Sequence, residues 1–164
     1  MVMRMSRHGH ETGRQGSACP DSSRCRAGAE AVAIHLRLGD VVCGTKYHEL
    51  DKRPFPPAAY EAIARRLPRG APRYLFGQPY MSVKSSKICW NESVAYRAQV
   101  ESALGATLFE EVDPDRTVCA LTRAQIFVQG QGTFSETIRA LRDLRGLRNI
   151  RITSWNMTYG RLPG

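Results

Sequence analysis

A chain of 164 residues, 42% of them hydrophobic, has the length of one domain and enough apolar side chains to bury a core. The net charge of +9 and a pI near 9.8 point to an anionic partner, whether nucleic acid, a phosphate-bearing small molecule or a membrane surface. No apolar run approaches the roughly 18 residues that cross a bilayer, and Met1–Gly16 is basic without an apolar core segment, so neither a transmembrane segment nor a secretory signal is read in the chain.

The basic excess is mostly Arg and is scattered rather than gathered in one block, so a solvated basic surface accounts for much of it. The five cysteines (Cys19, Cys25, Cys43, Cys89 and Cys119) are odd in number and lack C-x-x-C spacing. Reduced structural thiols are the expectation, and zinc is not. His8, His10 and Glu11 lack converging ligands, so no metal is expected there. The sequons Asn91-Glu-Ser93 and Asn156-Met-Thr158 matter only if the chain enters a secretory pathway.

Residues 1–28 are rich in Gly, Ser, Arg and His without a hydrophobic period, and read as a disordered or irregular arm. Residues 29–164 read as the folded domain. A first strand over 31–38 leads into a polar loop, 39–53. Pro57 opens a helix whose Tyr60, Ile63, Ala64 and Leu67 share one face, and Pro68 and Gly70 stop it. A second strand, 73–79, precedes a polar stretch and a helix over 92–104, with Val94, Ala98, Val100 and Leu104 as its apolar set. After Gly105 come a third strand (106–112), a short helix (116–123) with Asp113 as cap and Pro114 just inside, and a fourth strand (125–130). A helix over 134–144 and a fifth strand over 149–155 complete the pattern. Strands alternate with helices throughout, which predicts an α/β, Rossmann-like parallel sheet with helices on both faces.

Two stretches carry chemistry. AVAIHLRLGD, Ala31–Asp40, starts as a buried β-branched run and delivers His35, Arg37 and Asp40 around Gly39 at its carboxyl end. Ligands of open α/β sheets sit at such ends, and an Arg there can grip an anion with a bidentate fork. A strand that simply ends in a solvated polar turn is the competing reading. The second stretch, Gly130–Glu136, is a glycine-bearing loop that opens a helix. Thr133 and Glu136 have capping-box spacing, so Thr133 is the expected N-cap. The backbone N–H groups of Phe134 and Ser135 would then face an anion, with Gly130 and Gly132 allowing close approach. An ordinary capped helix is the alternative here. Neither the Walker pattern nor a full G-x-G-x-x-G occurs.

IHLRLGD resembles the H-x-R-x-G-D segment of fucosyltransferases, the group that includes the alpha-1,2-, alpha-1,6- and protein O-fucosyltransferases. ALTRAQIFVQGQGTFSETI is similar to their downstream segment, where a strand ends in a Ser/Thr-Phe-Ser turn before a helix. The resemblance covers Ala31 to about Leu144. It implies the C-terminal, donor-binding half of a GT-B glycosyltransferase that uses GDP-fucose without a metal and transfers the sugar to a glycan or protein hydroxyl. It further implies that Arg37 holds the β-phosphate, that His35 contacts the guanosine part, and that Gly132, Thr133, Phe134 and Ser135 form the diphosphate-binding turn. Asp40 would lie near the sugar, as general base or as a residue that holds its own loop.

Departures from the pattern are Leu38 where some relatives have a second basic residue, the additional Gln129–Gln131, and Thr117 where an acidic residue reads guanine. Residues 1–28 are too few for an acceptor-binding half, so a fragment, a partial gene model or a degenerate copy is expected. Eukaryotic relatives work in the Golgi or secretory lumen. The rival readings are a catalytically inactive nucleotide-binding domain and, less favoured, a basic nucleic-acid binder.

Overall fold

A computed structural model gives the fold, and it describes residues 30–43, 54–78, 87–109 and 113–152. Strands β1 (Val32–His35), β2 (Arg73–Phe76), β3 (Thr107–Leu108), β4 (Ile126–Gln129) and β5 (Arg148–Arg151) form one sheet in the order β3-β2-β1-β4-β5. Every pairing is parallel. Helices α1 (Asp40–Cys43), α2 (Pro57–Ala64), α3 (Lys87–Leu104), α4 (Pro114–Arg123) and α5 (Thr133–Asp143) lie in the connections. The result is the α/β, Rossmann-like fold that the alternation predicts.

Side chains of a strand alternate between the two faces of the sheet, and here each face meets its own helices. Val32, Ile34, Leu75, Ile126 and Val128 pack with Tyr60 and Ile63 of α2 and Val100 and Leu104 of α3. Ala33, Phe76 and Phe127 pack on the other face with Ala120 and Leu121 of α4 and Ile138 of α5. Because β1 is buried on both faces, its run of apolar residues is continuous rather than alternating.

Several boundaries differ from expectation. The loop expected at 39–53 begins with the helical turn α1. Helix α3 starts at Lys87 rather than Glu92, because its buried stripe includes Cys89 and Ser93 as well as Val100 and Leu104. Ala98 is exposed instead of belonging to that stripe. Asp113 caps α4 as expected, accepting from the Asp115 N–H at 2.9 Å, with Pro114 in the first turn.

Some of the Arg excess is spent inside the fold. Arg73 Nη1 donates to the Leu104 carbonyl at the end of α3, at 2.6 Å, and Nη2 reaches the Ala64 carbonyl of α2 at 3.4 Å. Arg142 is fully buried and does the same for α4, donating to the carbonyls of Leu121 and Ala124 at 2.9 and 2.8 Å. Last-turn carbonyls lack partners within their own helix, and a cation there also meets the negative end of the helix dipole.

Cys89 and Cys119 are each disulfide-bonded, which corrects the expectation of reduced thiols. An odd count does not keep individual cysteines from pairing. Ser93, the third residue of the first sequon, is buried in α3, where its Oγ accepts from the Gly39 N–H at 3.2 Å. Asn91-Glu-Ser93 is therefore helical and not a surface loop. The second sequon, the arm at 1–28 and the His8, His10 and Glu11 group lie outside the described residues. Among those described, no helix is long and apolar enough to cross a membrane.

Candidate functional site

From β1 the chain works outward through β2 to β3, and from β4 it works the other way to β5. The two directions part between β1 and β4, which are adjacent and in register from Val32 opposite Ile126. Open parallel sheets bind ligands beyond the carboxyl ends of the strands at such a switch point. A cleft of about 410 Å³ lies there, lined among others by His35, Arg37, Phe76, Phe109, Thr117 and Phe134.

Both stretches singled out in the sequence reach this cleft. Gly132 has a φ of 91° and a ψ of 163°, a backbone region essentially reserved for glycine. A Cβ placed on it would lie 3.2 Å from Arg37 Cδ and 3.3 Å from Cζ, with Nη1 closer still. The Arg37 side chain thus lies against Gly132, directly before the first residue of α5. Gly130 serves a second close approach: a Cβ there would meet the His35 backbone, 3.0 Å from its carbonyl carbon. The missing side chains are what let the β1 and β4 ends come together.

The helix start differs from the capping box expected. Gly132, not Thr133, is the N-cap, and no side chain caps the helix. The positive φ at Gly132 turns the chain into α5 one residue early, so Thr133 is the first helical residue and is exposed. The first helical bond runs from the Glu136 N–H to the Gly132 carbonyl at 3.2 Å. The first-turn N–H groups of Thr133, Phe134 and Ser135 precede that bond, at the positive end of the helix dipole. Glu136 is exposed and does not fold back on them.

His35 ends β1. Its Nδ1 lies 2.8 Å from Ser135 Oγ, and that oxygen accepts the Gly130 N–H at 3.0 Å. The ring leans on Phe134, with centroids 5.1 Å apart. Burial, and secondarily the neighbouring Arg37 guanidinium, lower the His35 pKa to about 4. The imidazole is therefore neutral at pH 7, and positive charge comes from Arg37 and the helix. Ser135 is fully buried; its hydroxyl faces His35 and the Gly130 N–H rather than the cleft. Asp40 opens α1 just past the Gly39 turn, and its side chain lies outside the described residues.

An aromatic wall that no motif in the sequence marks also lines the cleft. Phe76 and Phe109 pack with centroids 4.6 Å apart at the carboxyl ends of β2 and β3, opposite Pro114 and Thr117 at the start of α4. The available signal was an aromatic at the end of each of two successive strands, which a parallel sheet must bring side by side. Thr117 lines the cleft, whereas the Asp113 carboxylate is engaged at the start of α4 with the Asp115 N–H and with Arg116 at 3.5 Å.

Gly132→Ala should cost about 1–3 kcal/mol of stability, from the strained backbone region and from displacement of Arg37. Gly146→Ala is the control: φ is also positive there, at 65°, but nothing lies within 4 Å of the new Cβ. Urea unfolding of the two variants should show the larger loss at Gly132.

Fold and cleft define a Rossmann-like domain with a cleft at its switch point, lined by Arg37 and by the start of α5. No family model matches the chain, and no curated protein matches it either.

Proposed function

We propose that this domain binds a nucleoside diphosphate sugar, with the diphosphate held between Arg37 and the first-turn N–H groups of α5, and that it is the donor-binding half of a fucosyltransferase-like GT-B enzyme. The observation that carries this reading is the Arg37 side chain lying against Gly132. It brings a guanidinium and a helix N-terminus to one point, although they are far apart in the chain. Each favours an anion, and together they suit a diphosphate better than a single carboxylate. The aromatic wall of Phe76 and Phe109 has the chemistry to take a flat base. The disulfide-bonded Cys89 and Cys119 fit a protein that folds in an oxidising compartment, such as the secretory lumen.

In a displacement at the anomeric carbon, the acceptor oxygen bonds to that carbon as the bond to the diphosphate oxygen breaks, and the hydroxyl proton goes to a general base, the role the resemblance offers to Asp40. Charge develops on the leaving diphosphate. Arg37 and the α5 dipole are fixed before the reaction, so they stabilise that charge without reorganising. His35 stays uncharged and adds no second cation.

GDP or GDP-fucose at one hundred times its dissociation constant should stabilise the fold by about 2.7 kcal/mol. For a chain of this length that is a rise in Tm of roughly 5–10 °C. Arg37→Ala removes charge-assisted hydrogen bonds worth about 1.5–3 kcal/mol, so it should weaken binding about 10- to 100-fold. No shift with any nucleoside diphosphate, or an unchanged shift in Arg37→Ala, would reject the reading. Fucose transfer to a glycan separates an enzyme from a silent nucleotide binder, and RNA binding with a steep salt dependence would favour the nucleic-acid reading.

A further inference from the structure

The sequence assigns Ser135 to the diphosphate turn, yet its hydroxyl does not face the cleft. We infer that Ser135 is a positioning residue: it fixes His35 as the Nε2–H tautomer, so that the cleft presents a neutral hydrogen-bond donor to an uncharged oxygen of the ligand while Arg37 takes the charge. The part about the ligand rests on the nucleotide-sugar reading; the part about the tautomer does not.

The place of one proton decides the tautomer. A serine hydroxyl has one hydrogen to donate and lone pairs to accept with. Ser135 Oγ already accepts the Gly130 N–H at 3.0 Å, and its remaining neighbour is His35 Nδ1 at 2.8 Å. If Nδ1 carried a hydrogen, Ser135 would accept twice and its own O–H would be left without an acceptor in a fully buried place. A buried hydroxyl hydrogen without an acceptor is strongly disfavoured. The O–H therefore donates to Nδ1, and the ring of a neutral imidazole must carry its hydrogen on Nε2. Since Nδ1 is turned to Ser135 and His35 lines the cleft, Nε2 is the ring nitrogen left for a ligand.

Gly130 makes the arrangement possible from both sides. Its N–H fills the Ser135 oxygen, and a side chain on it would come within 3.0 Å of His35 Nδ1. The N–H holds the hydroxyl in one rotamer, and the serine in turn holds the ring. A neutral donor there selects against charge: a phosphate oxygen gains more from the guanidinium, whereas a carbonyl or hydroxyl oxygen of a base or sugar suits the imidazole N–H.

Long-range 1H–15N spectra of the whole labelled chain at pH 7 test this, with His35→Gln identifying the His35 signals. Wild type should show an unprotonated Nδ1 and a protonated Nε2. Ser135→Ala should turn this into a mixture of tautomers, and Ser135→Thr, which keeps the hydroxyl, should restore it. A protonated Nδ1 in the wild type overturns the inference whether or not the variants fold, and so does a folded Ser135→Ala with an unchanged pattern. Added GDP-fucose should move the Nε2–H resonance and leave Nδ1 unprotonated. If GDP-fucose raises the Tm but leaves that resonance in place, the proposed contact is wrong although the nucleotide-sugar reading stands. If it does not raise the Tm, the reading fails and the spectrum still decides the tautomer.

Discussion

Arg142→Met should lower stability by about 3–5 kcal/mol, since several buried acceptors lose their donor at about 1–3 kcal/mol each. Arg142 is fully buried near the end of α5. Besides the Leu121 and Ala124 carbonyls, its guanidinium donates to the Arg148 carbonyl at 2.9 Å and to Asn149 Oδ1 at 2.7 Å, and it reaches the Gln125 carbonyl at 3.4 Å. It also sits 5.8 Å from the centre of the Phe127 ring. One side chain thus ties the end of α4, the entry to β4 and the start of β5 to α5. Methionine fills much of the volume but donates nothing, so four carbonyls and an amide lose their partner in a place with little water. The drop in Tm for a domain of this size should be roughly 6–20 °C. Arg139→Ala is the contrast. Arg139 pairs with Asp143 at 2.6 Å, but both side chains are 40% or more exposed, so its loss should cost less than about 1 kcal/mol. Urea unfolding that ranks the two variants equally would show that the buried guanidinium holds nothing together.

Nothing in the sequence marks Arg142 as different from Arg139, three residues earlier on the same helix. Both are charged residues in an amphipathic segment, and the pattern places neither inside. What buries Arg142 is the end of α4, packed on the same face of the sheet, with Leu121 lying 21 residues earlier in the chain. The sheet was legible for the opposite reason. A β-branched run such as Val32–Ile34 states its own burial, and alternation with helices leaves a parallel sheet as the economical way to cover it. The site was legible at Arg37 and around Gly132, because a basic residue after a buried strand and a glycine before a helix each carry a local physical reason. The role of Ser135 was not. The motif gives it a place in a ligand-binding turn, whereas its hydroxyl faces a histidine a hundred positions away in the chain. Nor was the capping pattern decisive. Thr133 and Glu136 have the spacing of a capping box, but the positive φ of Gly132 starts the helix one residue too soon for it.

Acidification from pH 7 to pH 4 should remove about 3 kcal/mol of stability through His35 alone. An exposed imidazole protonates near 6.5, whereas His35 in the folded chain does so only at about 4, first because it is buried and second because Arg37 lies beside it. Between these two values the unfolded chain holds a proton that the folded chain refuses. Stability therefore rises with pH across this window: the full contribution is present above about 6.5, it is lost progressively on the way down, and the dependence ends below about 4. Carboxylates also titrate in the lower part of the window, so the readout is a difference. Urea unfolding of wild type and His35→Gln, each at pH 7 and pH 4, isolates the imidazole, because Gln keeps an acceptor for the Ser135 hydroxyl but cannot protonate. Wild type should lose about 3 kcal/mol more than the variant over this interval. Equal losses would mean that His35 titrates normally, with its ring open to water and clear of the guanidinium. That result would also undo the geometry of the seat, since burial against Phe134 and closeness to Arg37 are what keep the ring neutral. A larger loss in the variant would reverse the sign, and would require an anion beside His35 that the described residues of the cleft do not supply.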